Sequence, residues 1–454
     1  MSNLIPIKKD KSFIDLPLSK DRRFGTDGIR GPVDSTMNPL FVTKLGWAAG
    51  TVLLEEGITR VLIGKDTRIS GYMLESSLQA GFISSGMDVI LLGPLPTPGV
   101  SFLANSNNQA GVVISASHNL FEDNGIKFFN KDGQKFSSEL ERRIETKLSQ
   151  EIESVKSINL GKATRLNDAQ GRYIEFCKSN FMDLDLSGLS ILLDCANGAT
   201  YSVAPKVLEE LGASVKTIGT APDGVNINQN CGSTNPEYIR EEILKGNYDL
   251  GIAFDGDGDR ILMVSKTGKI LNGDDLLYIL SKDLDRESGV VGTLMTNKAL
   301  EIHFKEKKIR FCRSDVGDKY VLQRLLDKSW LLGGEPSGHI ICLDAAQTGD
   351  AIIAALKLLN CLKKNGYNVD KSIDNFNKFP QTLINLSVNN PNQIILNDKF
   401  WSEVTRIESR LGEKGRVLIR PSGTEPLIRI MVESEKEKES EDCCNRLADL
   451  ASKL

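Results

Sequence analysis

The sequence predicts an α/β chain of several domains: three related mixed αβ units in series, then a smaller α+β unit. Three observations carry this expectation. The chain has 454 residues, and at about 150 residues per domain that suggests roughly three domains rather than one. A strand–turn–helix–strand pattern recurs three times, at intervals of about 100 residues, as expected of successive βαβ units. From about residue 381 the pattern changes to strand, helix, strand, loop, strand, helix. The boundaries follow as 1–168, 169–270, 271–380 and 381–454.

Residues 1–20 are mixed in charge and aperiodic, and are read as a short extension. The segment RFGTDGIRG at 23–31 is a tight glycine turn beside a strand, read either as a hairpin with solvated charges or as one in which Arg30 faces a phosphate. Residues 39–57 have helical spacing, with Leu45, Ala48, Ala49, Val52 and Leu53 on the inner face. A strand at 60–64, a turn at Asp66-Thr67-Arg68, a helix near 71–85 and a strand at 88–92 complete the first unit of the repeat. Pro94, Pro96 and Pro98 then argue against further helix or central strand. The second copy runs from a strand at 189–194 through a helix at 202–211 to a strand at 213–218. The third runs from a strand at 292–295 through a helix at 297–307 to a strand at 308–312. In the last unit, helices are expected at 399–411 and 435–452, and the charge-rich ESEKEKESED is a solvated helix face.

Composition excludes several classes of function. Hydrophobic content of 40% and charged content of 26% are those of a soluble globular chain. A net charge of -4, from 56 basic and 60 acidic residues, gives no reason to expect a nucleic-acid or membrane partner. No apolar run approaches the ~18 residues of a membrane span, and the N-terminus lacks the apolar core of a secretion signal. A cytoplasmic monomer or homodimer is expected. The eight cysteines are scattered without a C-x-x-C pair, which reads as reduced structural thiols.

Four loops carry chemistry. In GVVISASHNLFEDNGIKFF, 111–129, an apolar strand breaks at Ser115, Ser117 and His118, Asn124-Gly125 marks a turn, and the strand pattern resumes with Lys127. Ser117 is thus a nucleophile at the lip of a buried strand, with a lysine close by. In AFDGDGDR, 253–260, Asp255, Asp257 and Asp259 alternate with glycines between two apolar runs. Carboxylates gathered this way repel one another without a cation, and hard oxygen ligands suit Mg²⁺ or Ca²⁺. An EF-hand does not fit, because Arg260 and Lys266 stand where glycine and glutamate are required. In GGEPSGH, 333–339, Glu335 and Ser337 are suited to neighbouring sugar hydroxyls, and His339 to a hydrogen bond or a proton. In RPSGTEP, 420–426, Arg420, Ser422, Gly423 and Thr424, with Arg429 nearby, offer a backbone nest and a guanidinium for a phosphate.

The loops S-A-S-H-N, D-G-D-G-D-R, G-E-x-S-G-H and R-x-S-G-T-E-P, in this order and spacing, resemble those of the α-D-phosphohexomutases. The likeness covers nearly the whole chain after about residue 20. FGTDGIRG at 24–31 and VGDKYV at 316–321 look most like the bacterial branch that acts on glucosamine phosphate. The resemblance implies four domains around a central cleft, the fourth of a TATA-box-binding-like fold. It implies interconversion of glucosamine 6-phosphate and glucosamine 1-phosphate, on the route to UDP-N-acetylglucosamine and the cell wall. Ser117 would carry the phosphoryl group. One Mg²⁺ per chain would be held by Asp255, Asp257, Asp259 and Ser117, beside Arg260. Glucosamine or glucose 1,6-bisphosphate would be the intermediate or activator. Lys127 would be the general acid/base, with His339 or His118 assisting. Two departures stand out: Leu120 replaces the proline that usually follows S-H-N, and Pro336 takes a slot commonly held by Gln. Three rival readings are a mutase of glucose or mannose phosphates, a phosphatase, and a non-catalytic sugar-phosphate sensor.

Overall fold

The computed structural model of the chain describes residues 23–285, 287–388, 390–421 and 427–454. The expected N-terminal extension lies outside them, as do Ser422, Gly423 and Thr424. The described residues form four sheets, one for each expected unit.

The first sheet contains β1 (Ile29–Pro32), β2 (Arg60–Lys65), β3 (Asp88–Pro94), β4 (Ala110–Ile114), β5 (Asp123–Phe129) and β6 (Ala163–Arg165). Their order is β1-β5-β4-β2-β3-β6. β4 pairs parallel with β2 and antiparallel with β5. Every residue of β4 is buried, which explains its unbroken apolar run. Two local expectations are corrected here. Asn124 and Gly125 are not a turn but part of β5, opposite Gly31 and Arg30 of β1. Sheet pairing overrides their turn preference, and a Cβ on Gly125 would lie 2.4 Å from the Ser115 carbonyl oxygen. The proline run does not exclude a helix either. A helix spans Thr97–Asn107 with a proline in its first turn, where the missing N–H costs nothing.

The second sheet holds β7 (Ser190–Asp194), β8 (Ser214–Ile218), β9 (Leu250–Phe254), β10 (Ile261–Ser265) and β11 (Ile270–Leu271), in the order β11-β10-β9-β7-β8. The third holds β12 (Gly289–Thr293), β13 (Arg310–Ser314), β14 (Leu332–Gly334) and β15 (Ile340–Cys342), in the order β13-β12-β14-β15. The strands expected at 292–295 and 308–312 are thus displaced along the chain, because the buried pair Val290 and Val291 sets β12. The fourth sheet is antiparallel, β16 (Gln381–Ser387), β18 (Leu427–Ser434) and β17 (Gly415–Pro421) in that spatial order. Helices Asp398–Leu411 and Glu437–Ala451 cover it.

The cores divide the molecule unevenly. One hydrophobic cluster runs through the first three units, from Val113 and Phe129 through Ile191 to Val290. The fourth has its own core, in which Phe400, Val404 and Leu447 pack with Ile428, Ile430 and Val432. It meets the third through polar contacts. Buried Glu433 accepts from Arg416 Nε at 2.6 Å and from the Lys298 backbone N–H at 3.0 Å, and Arg416 also donates to the Leu294 and Thr296 carbonyls. All eight cysteines are free. Among the described residues no helix is long and apolar enough to cross a membrane.

Candidate active site

The serine loop starts where β4 ends. Ser115 donates its backbone N–H to Gly125 O at 2.9 Å, and the chain then leaves the sheet. Ser117 takes φ 53°, a left-handed conformation unusual for a residue with a side chain. Its N–H donates to Ser115 Oγ at 2.9 Å, and Ser115 Oγ donates to Asp66 at 2.6 Å. The result is a buried hydroxyl held at a fixed place. Ser117 Oγ donates to Asp255 Oδ2 at 2.6 Å and lies 3.3 Å from His118 Nδ1.

The acidic loop joins β9 and β10, as the flanking apolar runs predict. Asp255 Oδ1 accepts from the backbone N–H groups of Gly258, Asp259 and Arg260 at 3.1–3.2 Å, which closes the turn. Gly258 supplies φ 74°. One ligand oxygen from each of Asp255, Asp257 and Asp259 lies within 4.8 Å of the others, and all three residues are buried. Burial and the charges of Asp259 and Asp257 push the Asp255 carboxyl well above its usual range. Oδ1 of Asp257 and Oδ1 of Asp259 have no hydrogen-bond partner among the described residues. Three crowded carboxylates, two of them with an oxygen that accepts no hydrogen bond among the described residues, fit a hard cation with oxygen ligands.

Lys127, on β5, completes this cluster from the first domain. Its Nζ lies 2.9 Å from Asp257, 3.0 Å from Asp27 and 3.5 Å from Asp259. Burial opposes its charge, but Asp257, Asp27 and Asp259 outweigh burial and hold Lys127 well above the usual lysine range. Asp27 also pairs with Arg30 and Lys135, and Lys135 reaches Asp318 of the third domain.

Beside this cluster is a cavity of about 440 Å³. Arg23, Arg30, Arg260, Asp318, Glu335 and His339 contribute to its wall. Among the described residues the Nε atoms of Arg30 and Arg260 are buried without a hydrogen-bond partner, Arg260 Nε lying 3.8 Å from Asp259 Oδ1, so the wall presents cationic donors of the kind an anionic oxygen satisfies. The two histidines differ. Burial, with the charges of Arg260 and Arg30, lowers His118 to about 4. Burial also opposes charge on His339, but Asp259, then Asp318 and Glu335, raise it to about 9.

The third domain brings Glu335 and His339 to the cavity on the turn between β14 and β15. Glu335 Oε1 accepts from the Gly317 N–H at 2.8 Å. The turn is tied to the acidic loop, since Ile261 N donates to Gly338 O at 3.0 Å. Ser337 is on the same turn but exposed, and it does not line the cavity. Arg420 and Arg429 face each other across β17 and β18, also outside the cavity wall. Several contributors carried no signal beyond their turns. Thr97 donates to Asp257 Oδ2 at 2.5 Å, and Arg68 and Asn228 grip the serine loop. Asp27 and Asp318 sit inside the segments RFGTDGIRG and VGDKYV, with no local pattern that sets them apart from their neighbours.

Comparison with known proteins agrees with this fold. Four models of the phosphoglucomutase/phosphomannomutase family match in series: alpha/beta/alpha domain I at 21–154, domain II at 171–268, domain III at 272–379 and the C-terminal domain at 383–450. A phosphoglucosamine mutase of Legionella pneumophila (strain Corby) is 50% identical over 448 residues, covering 96% of this chain and 98% of that protein. One from Aeromonas hydrophila is 52% identical over 432 residues, covering 94% and 97%. Among solved structures, a phosphoglucomutase/phosphomannomutase family protein of Burkholderia thailandensis superposes with a TM-score of 0.82 at 23% identity, covering 96% and 98%. Aspergillus fumigatus N-acetylphosphoglucosamine mutase, in complex with GlcNAc-6P and magnesium, superposes with a TM-score of 0.67 at 17% identity, covering 95% of each chain. The chain belongs to the phosphoglucomutase/phosphomannomutase family, the α-D-phosphohexomutases, and within it to the bacterial phosphoglucosamine mutases.

Proposed function

We propose that this phosphoglucosamine mutase interconverts glucosamine 6-phosphate and glucosamine 1-phosphate with Ser117 as the phosphoryl carrier. The observation that carries the reading is the buried Ser117 hydroxyl, 2.6 Å from one carboxylate of a three-carboxylate site on another domain. Asp255, Asp257, Asp259 and an oxygen on phosphorylated Ser117 would hold one Mg²⁺, which when bound supplies positive charge beside the transferring group. The magnesium in the Aspergillus complex supports that choice of ion.

The free hydroxyl of the sugar phosphate takes the phosphoryl group from Ser117 and gives a 1,6-bisphosphate. That intermediate turns over and returns its other phosphoryl group to Ser117. Arg260 offsets charge on the transferring group, and Arg30, with its unpaired Nε, receives a phosphate oxygen in the cavity. Glu335 and Ser337 hold ring hydroxyls. Arg420 and Arg429, with Ser422, Gly423 and Thr424, hold the phosphate that is not reacting. Of the proton-transfer candidates, His118 is the one at Ser117 Oγ, 3.3 Å away. Lys127 and His339 both contact the acidic cluster, Lys127 at 2.9 Å from Asp257 and His339 at 3.8 Å from Asp259. In that company both carry a positive charge; Lys127 is the candidate general acid/base, with His339 or His118 assisting. Domain boundaries after 168, 270 and 380 are supported by the family models, since each falls in a gap between matched segments.

The test is the intact mass of the purified protein and of Ser117→Ala. A phosphoryl adduct present in the first and absent from the second, with loss of mutase activity, is the expected result. An adduct that survives the substitution, or a mutant that keeps its activity, overturns the reading. Comparing turnover of glucosamine, glucose and mannose 6-phosphates sets the substrate preference. Preference for the glucosamine compound is expected.

A further inference from the structure

We propose that Arg68 and Asn228 are positioning residues: a clasp from two domains that fixes the serine loop through its backbone carbonyls. The proposal rests on Ser117 being the phosphoryl carrier. Arg68 follows β2 and is 2% exposed. Its Nε donates to Asp66 Oδ2 at 2.8 Å. Its Nη2 donates to the carbonyls of Ser117 at 3.1 Å and Asn119 at 2.8 Å. Its Nη1 donates to the carbonyl of Asp123 at 3.1 Å and to that of Leu120. A guanidinium has five N–H donors, and these contacts use all of them. An arginine beside a phosphorylated serine would ordinarily be taken for a phosphate ligand. Arg68 has no donor left for that, so its work is on the backbone.

Asn228 approaches the same carbonyls from the second domain. Its Nδ2 donates to Ser117 O and to Asn119 O, both at 2.9 Å. Asn228 is itself fixed in a left-handed turn, φ 58°, with its N–H donating to Ala196 O at 2.8 Å. The carbonyls of Ser117 and Asn119 are therefore each held from both domains. This supplies what φ 53° at Ser117 requires, a surrounding that over-determines an unfavourable backbone. At Leu120 the clasp holds the backbone carbonyl, a group present whichever residue stands there.

The consequence is a choice of acceptor. In productive transfer, a sugar oxygen bonds to phosphorus as the bond to Ser117 Oγ breaks. The sugar hydroxyl gives up its proton and Ser117 Oγ takes one. In hydrolysis, water takes the sugar's place and inorganic phosphate leaves. A displaced Ser117 penalises the bulky, oriented sugar more than water. The experiment loads full-length wild type, Arg68→Lys and Asn228→Asp with glucose 1,6-bisphosphate. It then measures phosphoryl transferred to glucosamine 6-phosphate against inorganic phosphate released. Aspartate tolerates the left-handed backbone at 228 but offers no donor. The ratio does not depend on how much protein is folded, so a loss of stability alone leaves it unchanged. We expect each variant to shift the ratio toward hydrolysis by about ten-fold or more. If Arg68→Lys does not fold, Asn228→Asp carries the test. A loaded wild type with unchanged ratios in the folded variants overturns the clasp alone. A wild type that carries no phosphoryl group on Ser117 overturns the carrier reading and the clasp with it.

Discussion

Gly256 is the position where a single methyl group tests how closely the serine and acidic loops must fit. A Cβ there would lie 2.6 Å from the Ser117 carbonyl oxygen, 2.6 Å from Asn228 Nδ2 and 2.8 Å from Ile227 Cδ1. Ordinary contact begins at 3.4 Å, so the alanine needs 3.4 − 2.6 = 0.8 Å of movement. Ser117 O cannot easily yield, because Arg68 and Asn228 both hold it. The acidic loop must therefore move. If all of the shift falls on the Ser117–Asp255 contact, 2.6 Å becomes 2.6 + 0.8 = 3.4 Å, too long for a good O–H···O bond. Misplacement by about 1 Å costs up to about a hundred-fold in rate, while overpacking costs about 1–3 kcal/mol in stability. Gly256→Ala should therefore lower kcat for glucosamine 6-phosphate by about ten- to a hundred-fold and stay folded. Steady-state turnover at saturating substrate, with a thermal melt as control, reads both quantities. A folded Gly256→Ala enzyme with wild-type kcat would refute the reasoning, because the loops would then tolerate separation.

Three further outcomes follow from other contacts. Asp257→Asn keeps the shape that meets Thr97 and Lys127 but removes a charge from the triad. It should raise the Mg²⁺ needed for half-maximal activity by at least about ten-fold, and an unchanged titration removes Asp257 from the metal site. Glu433→Ala leaves Arg416 without its carboxylate at the junction of the third and fourth domains. Breaking so buried a pair costs about 3 kcal/mol, read as a lower Tm and faster proteolysis near 378–381; wild-type behaviour would dismiss the junction as a support. Asp274 is buried with Oδ1 unpaired, and burial raises its carboxyl to about 7. Its folded pKa lies above its unfolded one, so its contribution is complete below about 4 and is lost as pH rises through about 7. Asp274→Asn should therefore gain stability over wild type as pH rises from 5 to 8, by no more than about 4 kcal/mol, read as a Tm difference that grows with pH; a difference that does not change with pH rejects the assignment.

The parts of the site that could be read in the sequence were those with a local signature. D-G-D-G-D-R between two apolar runs announces a turn full of carboxylates, and Asp255, Asp257 and Asp259 do converge. Ser117 stands out because polar residues follow the wholly buried β4, and Lys127 because it is a charge within the apolar run of β5. What stayed hidden depends on partners far along the chain. Arg68 looks like any arginine in a turn, because its acceptors are carbonyls some 50 residues away, and a carbonyl leaves no trace in a sequence. Asn228 is the same case across two domains. Asp27 was overshadowed by Arg30 in one short segment, although it is Asp27 that binds Lys127 and Lys135. Asn124-Gly125 and Pro98 show the opposite case, where a strong local preference yields to the fold. In the fold, β1 pairs with β5 through Gly125, and a proline fits the first turn of a helix.

The arginines of the fourth domain raise a question of distance. Arg420 and Arg429 are direct cross-strand neighbours on β17 and β18, yet neither lines the cavity beside Ser117. Like charges directly opposite one another weaken a sheet, so an anion between them would relieve a cost the folded chain otherwise carries. One hydrophobic cluster runs through the first three domains, beside a second confined to the first, and the fourth has its own. Its junction with the third is polar, built on Arg416, Glu433 and the chain around Phe379. A unit with its own core and a polar junction can rotate without exposing apolar surface. In the proposed mechanism such a rotation would let the bisphosphate turn over, exchanging the places of its two phosphates, without escaping. Adding glucose 1,6-bisphosphate should therefore draw the fourth domain toward the cavity and reduce the radius of gyration seen by small-angle X-ray scattering. Arg429→Ala, exposed on the sheet and remote from the shared core, should abolish that contraction without lowering Tm. A ligand that binds with no contraction in the wild type would mean that the outer phosphate is held by the first three domains alone.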